Sequence, residues 1–370
     1  MSIKVLHIIY GLTGGGAETQ LINLVNYSDS SIIDNAIFCV DCKGQDRLNR
    51  NTKIYCYERK NFLDLGIYKS LKNSVKDFEP DIIHNWLPEY VTVPGMIISK
   101  IYNKKCIFSF RNTMKLCNYK NIIEYIIAMF FSDAIISNTK YDFHDKYYKL
   151  LFNKKESYEI NNGFAIDQIR KNSNHDIYSI VKKFEPKKFN IIFVGRLTEQ
   201  KNIMSLIEAF NLLCNKESYH LYICGDGEQK NKLTQLVKNY NLCDEITFLG
   251  YTENIYALMK ASDLLVLPSK YEGMPNVIFE AMCLGLPSLV SNIEQHKRWI
   301  VNNENGYLFD INDINDLANK IMKINYDKLN YNKVKDYIKH YIEDFNVNKM
   351  ANKYAECYMK IYHNSICLKK

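Results

Sequence analysis

Two glutamates in the carboxyl-terminal third of the chain, Glu272 and Glu280, stand eight positions apart, with Gly273 and Pro275 between them. An apolar run ends just before this segment, which predicts a buried parallel strand that opens into a loop. Proline favours the first turn of a helix. The pattern therefore predicts a loop carboxylate, a helix start, and a second carboxylate two turns into the helix. Carboxylates so placed can accept hydrogen bonds from vicinal hydroxyl groups, such as those of a sugar and a ribose.

The first N–H groups of this predicted helix belong to Asn276 and Val277. Ligands of open α/β sheets bind beyond the carboxyl ends of the strands, and a helix N-terminus favours an anion such as a diphosphate. Without a ligand, the two glutamates would be a solvated loop side chain and a partly buried helix side chain. From the pair of glutamates alone, both interpretations stay open.

A second segment places basic residues after a strand. The apolar run 190–194 predicts the strand; Gly195, Arg196 and Lys201 follow, and a helical pattern begins at Ile203. Arginine offers a planar fork to phosphate oxygens and lysine a compact charge. Together they would stabilise negative charge on a departing diphosphate without a metal. The alternative is that both side chains are simply solvated.

A third strand, predicted over 221–224, runs into Gly225, Asp226 and Gly227. Any tight turn from strand to helix can use two glycines in this way. The third glycine of the dinucleotide-binding fingerprint is missing, which argues against a nicotinamide cofactor.

Together these segments resemble the family 4 retaining glycosyltransferases of the GT-B fold, the glycosyltransferase group 1 type. The resemblance implies that Arg196 and Lys201 hold the donor diphosphate, that Glu272 orients the sugar and that Glu280 binds the ribose. It implies an α/β protein with two Rossmann-like domains facing across a cleft and a C-terminal helix that crosses back to the first domain. The sequence has no Asp-x-Asp metal motif of the other major glycosyltransferase fold, so we expect independence from metals and cofactors. The further donor-binding residues are Gly15, Gly16, Gly195, Gly225, Gly227, Gly273, Met274, Pro275, Asn276 and Val277.

The N-terminal half carries weaker features. A glycine-rich loop that includes Gly15 and Gly16 follows the first predicted strand, and either faces a ligand or forms a simple turn. His84 ends another strand and matches the first histidine of a family motif, which makes it a catalytic candidate; a structural histidine is the alternative. Arg111, at the end of a further strand, either contacts the acceptor or pairs locally.

Alternating strand and helix patterns run along the 370 residues, which predicts parallel sheets covered by helices. We expect an acceptor-binding domain at 1–168, a donor-binding domain at 169–345, and a helix at 346–370 that packs on the first domain. A polar stretch between Asp167 and Phe189 predicts the linker between the domains.

The hydrophobic content of 47% is that of a soluble globular protein. The sequence opens directly into a strand pattern, so we expect no signal peptide and a cytoplasmic location. Cys39 and Cys42 have the spacing of metal ligands, but no second pair or histidine partner follows them. We therefore expect the eleven cysteines to be reduced thiols and no metal to be bound.

The net charge of +7 includes lysines that cluster at 100–105 and 140–155, the second group interleaved with aromatic and aliphatic residues. A basic helix with an apolar face can lie on the anionic inner face of the cytoplasmic membrane. A solvated basic surface is the alternative. No nucleic-acid motif accompanies the charge, so we expect no nucleic-acid partner.

The sequence thus predicts a retaining transferase that moves a hexose or N-acetylhexosamine from a nucleotide sugar, with UDP as the expected nucleotide. The expected acceptor is a hydroxyl of a glycan, linked to a polyprenyl lipid, in capsule, O-antigen or exopolysaccharide synthesis. Two other classes remain open. A nucleotide-sugar epimerase of similar fold would convert the donor without an acceptor, and a non-catalytic subunit would bind UDP-sugar without turnover.

Overall fold

The computed structural model describes residues 2–48, 52–59, 64–87, 89–111, 126–128, 130–139, 155–181, 184–252 and 254–367. The chain divides into two compact units. Unit 1 comprises Met1–Gly163 and Phe345–Lys370, and unit 2 comprises Phe164–Asp344.

Unit 1 is built on a parallel sheet of seven strands in the order β3-β2-β1-β4-β5-β6-β7. The strands are β1 (Ile3–Ile8), β2 (Ile33–Cys39), β3 (Lys53–Cys56), β4 (Ile82–Asn85), β5 (Lys105–Phe110), β6 (Ala134–Ser137) and β7 (Glu156–Glu159). Its first three helices are α1 (Gly16–Tyr27), α2 (Gly66–Phe78) and α3 (Thr92–Ile101).

Helix α2 illustrates how the pattern of apolar residues packs this unit. Ile67, Leu71, Val75 and Phe78 recur every three or four positions, so they lie on one helical face. All four are buried against the inner strands. Full burial of such side chains contributes about 1.5–3 kcal/mol each relative to exposure.

Unit 2 contains a parallel sheet of six strands in the order β10-β9-β8-β11-β12-β13. The strands are β8 (Phe189–Val194), β9 (Tyr219–Cys224), β10 (Ile246–Gly250), β11 (Leu264–Leu267), β12 (Ser288–Ser291) and β13 (Tyr307–Phe309). The helices are α4 (Ile166–Asn172), α5 (Ile177–Ile180), α6 (Ile203–Asn211), α7 (Lys230–Asn239), α8 (Ile255–Ala261), α9 (Asn276–Cys283), α10 (Glu294–Lys297), α11 (Ile314–Tyr326) and α12 (Lys328–Tyr341).

The polar stretch predicted as a linker instead forms part of unit 2. It contains α4 and α5, and the chain passes between the units at Gly163 and again near Phe345. Ile169 is buried on one face of α4, while the Asp176 carboxylate caps α5 by accepting a hydrogen bond from the Tyr178 N–H at 3.2 Å. The polar composition reflects the exposed faces of these short helices rather than a link between domains.

The last helix, α13 (Val347–Cys367), belongs to unit 1, where it packs on α1 and β1. Tyr354 and Tyr358 on this helix are fully buried. Among the helices described, none is long and apolar enough to cross a bilayer.

The expectation that all cysteines are reduced thiols is wrong for one pair, because Cys42 and Cys56 are joined by a disulfide. Strands β2 and β3 are adjacent, and the loop that follows Cys39 turns Cys42 back to the end of β3. The sequence alone did not reveal that these strands are neighbours.

Candidate functional site

Three loops of unit 2 meet where neighbouring strands end. Because β9, β8 and β11 are adjacent and parallel, their carboxyl ends lie at one edge of the sheet. The turns after β8 and β9 are joined by backbone hydrogen bonds: Gly195 N–H donates to the Cys224 carbonyl at 3.0 Å, and Leu197 N–H donates to the Asp226 carbonyl at 2.9 Å.

The glycines of the β9 turn permit this close approach. A Cβ atom on Gly225 would lie 1.9 Å from the Gly195 carbonyl oxygen, and one on Gly227 would lie 2.5 Å from the Leu197 carbonyl oxygen. Gly225 also has φ +135°, which L side chains rarely adopt. These two glycines, predicted as donor-binding residues, are required by the packing of the two turns. Direct contact with a donor stays a prediction.

The loop after β11 is fastened to the segment after β8. Lys270 N–H donates to the Gln200 carbonyl at 2.8 Å, and the Gln200 side chain donates to the Tyr271 carbonyl at 2.9 Å. The Lys201 ammonium lies 2.5 Å from the Glu272 carboxylate, and their side chains are only 14% and 8% exposed. The structure therefore brings two predicted catalytic residues into a buried ion pair.

Arg196 differs from Lys201 in its surroundings. Its side chain is exposed and has no hydrogen-bond or ion-pair partner within the described part of the chain. A guanidinium that is already solvated and unpaired can bind a phosphate without breaking an internal contact. The same strand end thus offers one fixed cation and one free cation.

Helix α9 begins at Asn276, and Pro275 occupies the position immediately before it, with an extended backbone. The sequence predicted Pro275 inside the first turn, a difference of one position. Val277 is buried, and Glu280 lies half-buried one turn further along the helix. The first N–H groups of a helix favour an anion, so this end of α9 suits a diphosphate.

Buried polar atoms near the ion pair lack hydrogen-bond partners among the residues that the structure covers. They are Thr198 Oγ1, Ser269 Oγ and His296 Nε2. Most buried polar atoms are satisfied by protein, water or ligand, so these atoms are suited to groups that enter the site. The sequence reasoning missed them because no residue type or spacing marks them as site residues: Thr198 and Ser269 lie in loops, and His296 lies in the short helix α10.

His296 has a defined tautomer. Its Nδ1 lies 2.9 Å from the Ser291 carbonyl oxygen, which can only accept, so Nδ1 carries the proton and Nε2 has a free lone pair. Burial lowers the pKa of His296 from 6.5 to about 4, while the charge of Glu272 acts in the opposite direction. His296 is therefore neutral at physiological pH.

In unit 1, the predicted glycines lie at the start of α1. Gly15 is the residue immediately before the helix and Gly16 is its first residue. Both are exposed. Their position at a helix N-terminus agrees with a phosphate-facing loop, and contact with a phosphate stays a prediction.

The surroundings of His84 favour the structural alternative that the sequence left open. It is fully buried; its Nδ1 lies 2.7 Å from the Tyr358 hydroxyl and its Nε2 lies 2.8 Å from the Ser109 hydroxyl. Burial and the charges of His7 and Arg111 hold the pKa of His84 well below its usual range. Both nitrogens are engaged within unit 1, which favours a structural role; a catalytic role for His84 stays a prediction.

Arg111 is likewise engaged inside unit 1. Its guanidinium donates to the Asn162 side chain at 2.9 Å and to the Tyr354 hydroxyl at 2.5 Å, and it stacks on the Trp86 ring at 4.5 Å. It is only 6% exposed. Of the two possibilities that the sequence left open, the structure favours local pairing over contact with an acceptor.

The comparison with protein families concerns the segment that carries the unit 2 site. Residues 175–341 match the family model described as glycosyl transferases group 1. Residues 175–341 belong to this family. Every unit 2 residue of the candidate site lies within this group 1 glycosyltransferase domain, whereas Gly15, Gly16, His84 and Arg111 lie outside it.

Two relatives are each similar to part of this chain. An uncharacterized glycosyltransferase of Methanocaldococcus jannaschii is 31% identical over 250 residues, which cover 63% of this chain and 61% of the relative. The Escherichia coli UDP-Gal:alpha-D-GlcNAc-diphosphoundecaprenol alpha-1,3-galactosyltransferase is 32% identical over 193 residues, which cover 51% of this chain and 50% of that enzyme. The chain thus spans about half to three-fifths of the length of these relatives.

A solved structure extends the likeness to both units. The Anabaena protein HepE, crystallised with UDP and glucose, superposes with a TM-score of 0.82 at 20% identity, over 97% of this chain and all of HepE. The two parallel-sheet, Rossmann-like units and this likeness confirm the predicted fold class, the GT-B type of α/β protein.

Proposed function

We propose that this chain is a retaining glycosyltransferase that moves a hexose or N-acetylhexosamine from a nucleotide sugar to a hydroxyl of a glycan acceptor. In this proposal, unit 2 binds the donor and unit 1 binds the acceptor. The observation that carries it is the buried Lys201–Glu272 pair, set beside the exposed Arg196 where three strand ends of the group 1 glycosyltransferase domain meet.

The two cations have separate parts in the proposed reaction. As the bond between the sugar and the diphosphate breaks, negative charge grows on the leaving phosphate and positive charge on the sugar ring. Lys201 is already fixed by Glu272, so its charge is in place before the transition state forms. Arg196 is free to move onto the phosphate when the donor binds.

The carboxylates and the helix complete the donor site. Glu272 uses one oxygen for Lys201, so its other oxygen can accept a hydrogen bond from a sugar hydroxyl. The N-terminus of α9 faces the diphosphate, and Glu280 binds the ribose. We assign no protein nucleophile: the acceptor hydroxyl attacks on the face that the diphosphate leaves. Lys201, Arg196 and the helix supply the charge compensation that a divalent metal would otherwise provide.

UDP is the proposed nucleotide. The Escherichia coli relative is named for a UDP-galactose donor, and HepE was crystallised with UDP and glucose. The same relative is named for a diphosphoundecaprenol acceptor, which supports a polyprenyl-linked glycan acceptor and a role in surface polysaccharide synthesis.

A membrane-bound acceptor calls for a surface that reaches the lipid, and we place this surface at the amino ends of β5 and β6. Phe130 and Ile101 are 75% and 67% exposed there, next to Lys100 and Lys104. Asp133 forms an ion pair with Lys100 at 3.4 Å and so offsets part of the charge. The second basic group, 140–155, lies outside the described residues except for Lys155.

Vesicle flotation tests the proposed membrane surface. We expect the protein to bind vesicles with anionic lipid and to leave them at high salt, because the attraction is electrostatic. Phe130→Ser should weaken this binding, whereas Leu212→Ser, an exposed residue of unit 2, should not. Equal binding to neutral vesicles would contradict the electrostatic basis.

The activity test is UDP release from a panel of UDP-hexoses and UDP-N-acetylhexosamines, with a membrane lipid extract as acceptor and with EDTA. We expect extract-dependent release from one donor, unaffected by EDTA. Arg196→Ala should lower kcat by about 10²–10³-fold, and Glu280→Ala should mainly weaken donor binding. Lys238→Ala, an exposed lysine on α7, is the control that should keep full activity.

The two rival functions give different results in the same assay. An epimerase would interconvert the donor sugars without the extract, and a binding subunit would hold UDP tightly by calorimetry but release none from any donor. Unchanged turnover in Arg196→Ala would overturn the diphosphate assignment.

A further inference from the structure

Three cysteine sulfurs converge at one edge of the unit 1 sheet. Cys39 and Cys56 end the adjacent strands β2 and β3 and are register partners, and Cys42 follows Cys39 after two residues. The Sγ atoms of Cys39, Cys42 and Cys56 all lie within 4.8 Å of one another. No other group of three or more potential metal ligands this compact occurs in the described ranges.

The geometry of this cysteine cluster fits a thiophilic cation. Zinc–sulfur bonds of about 2.3 Å in a tetrahedral site place neighbouring sulfurs about 3.8 Å apart. The Cys39 and Cys42 sulfurs are 3.8 Å apart. The Cα atoms of Cys42 and Cys56 are 6.0 Å apart, so their sulfurs can move to the same spacing by side-chain rotation. We propose that, in the reduced protein, the cysteine cluster binds one thiophilic divalent cation, with Zn²⁺ as the representative ion.

Burial in the cluster forms a gradient. Cys39 is buried, Cys42 is half-buried and Cys56 is exposed. The cation thus has an entry path past Cys56, and water can take a fourth coordination position on that side. This site is separate from the proposed donor site, which lies in unit 2.

The disulfide and the metal site are alternative states of the same sulfurs. Two low-molecular-weight thiols reduce the Cys42–Cys56 bond: they supply two electrons and two protons, and are themselves joined in a new disulfide. The cation then replaces the three thiol protons, which pass to solvent. A cytosolic protein is kept in the reduced state by such thiols.

The cluster sits on the segment that supports the glycine-rich loop. Val40 N–H and Asp41 N–H both donate to the Tyr10 carbonyl at 2.8 Å, one residue before that loop begins. Further along, the Arg47 guanidinium donates to the Leu12 carbonyl at 3.2 Å and to the Thr19 hydroxyl at 2.9 Å. Either state of the cluster therefore fixes the backbone that holds this loop.

Cobalt binding tests the proposal without any sugar substrate. The full chain is reduced with a phosphine, freed of metal, and titrated with Co²⁺. We expect one equivalent per chain, seen as thiolate-to-cobalt charge-transfer absorption, and displacement by Zn²⁺. Cys39→Ser and Cys56→Ser should each lower the affinity at least about tenfold. Circular dichroism confirms that each variant is folded.

The controls are Cys214→Ser and Cys243→Ser, which alter exposed cysteines of unit 2 and should leave the absorption unchanged. Absorption that survives in both Cys39→Ser and Cys56→Ser would place the cobalt elsewhere and overturn the proposal. So would a reduced protein without the absorption, or a chain that mass spectrometry shows to keep its disulfide under the reductant.

Discussion

The Lys201–Glu272 pair permits a quantitative test of the unit 2 site. Lys201→Met removes the cation and keeps most of the side-chain volume, and Glu272→Gln removes the carboxylate charge in the same way. Each substitution leaves its former partner as an unpaired charge that is only 14% or 8% exposed. The double variant leaves neither charge.

The magnitude follows from the separation of the two charges. At an effective dielectric of about 20, charges 2.5 Å apart attract by about 7 kcal/mol. Desolvation of each ion costs several kcal/mol, so the attraction within the intact pair roughly offsets the desolvation cost of its two ions. Removing one partner removes the attraction and keeps the other ion's desolvation cost. We therefore expect each single variant to lose about 3–5 kcal/mol of unfolding free energy, and the double variant much less than the sum.

The assay can follow unit 2 alone, because the chain has two tryptophans, one in each unit. In a Trp86→Phe background, Trp299 is the only tryptophan that fluoresces. Urea unfolding followed by this fluorescence gives the unfolding free energy of unit 2. The coupling energy is the double-variant loss minus the two single losses.

The nearby Lys270–Glu199 pair is the matched control. Its atoms are 2.9 Å apart, but its side chains are 43% and 79% exposed. Lys270→Met should cost no more than about 1 kcal/mol, since solvent screens an exposed pair. If Lys201→Met and Glu272→Gln cost as little as this control and add without coupling, the pair is solvated and the reasoning about a fixed cation is refuted.

Further predictions concern the packing of both units and the response to pH. Gly225→Ala should destabilise unit 2 by about 2–4 kcal/mol in urea unfolding, against about 1 kcal/mol for Gly250→Ala, which has φ +67° but open space around it. The pKa of His296 is about 4 in the folded chain, against an ordinary 6.5. Between pH 6.5 and pH 4, His296 is therefore protonated in the unfolded chain but not in the folded one. His296 should thus reduce stability by up to about 1.4 kcal/mol per pH unit from pH 6.5 down to 4, and His296→Gln should flatten that slope in urea titrations. Tyr358→Phe should lower the unfolding free energy of unit 1 by about 1–3 kcal/mol, because His84 Nδ1 loses its hydrogen-bond partner. The fluorescence of Trp86, the tryptophan of unit 1, measures this loss.

The donor-side elements were largely predictable because they are local. The strand that leads to Glu272, the helix start near Asn276 and its end before Gly285 all follow from residues within a few positions of one another. Gly225 and Gly227 were found for the same reason, although their packing against the neighbouring turn was not.

The features that escaped prediction depend on partners distant in sequence. Cys56 lies 14 residues from Cys42, and only the pairing of β2 with β3 brings them together. The sequence shows His84 only as a histidine at the end of a strand. Its contact with the Tyr358 hydroxyl depends on α13, which is distant in sequence. A single sequence indicates which residues suit a role, but not which of them the distant chain has already engaged.

The order of the chain has a consequence for its synthesis. Unit 1 is completed by α13, which is made after unit 2, and Tyr354 and Tyr358 follow their partners Arg111 and His84 by 243 and 274 residues. At ribosomal rates this delay is on the order of tens of seconds. During that time the nascent first unit holds polar groups that it cannot yet satisfy, while the continuous second unit has everything it needs to fold. Translation that stops before α13 would therefore release a chain with a finished second unit and an unfinished first one, a clear mark for chaperones and proteases.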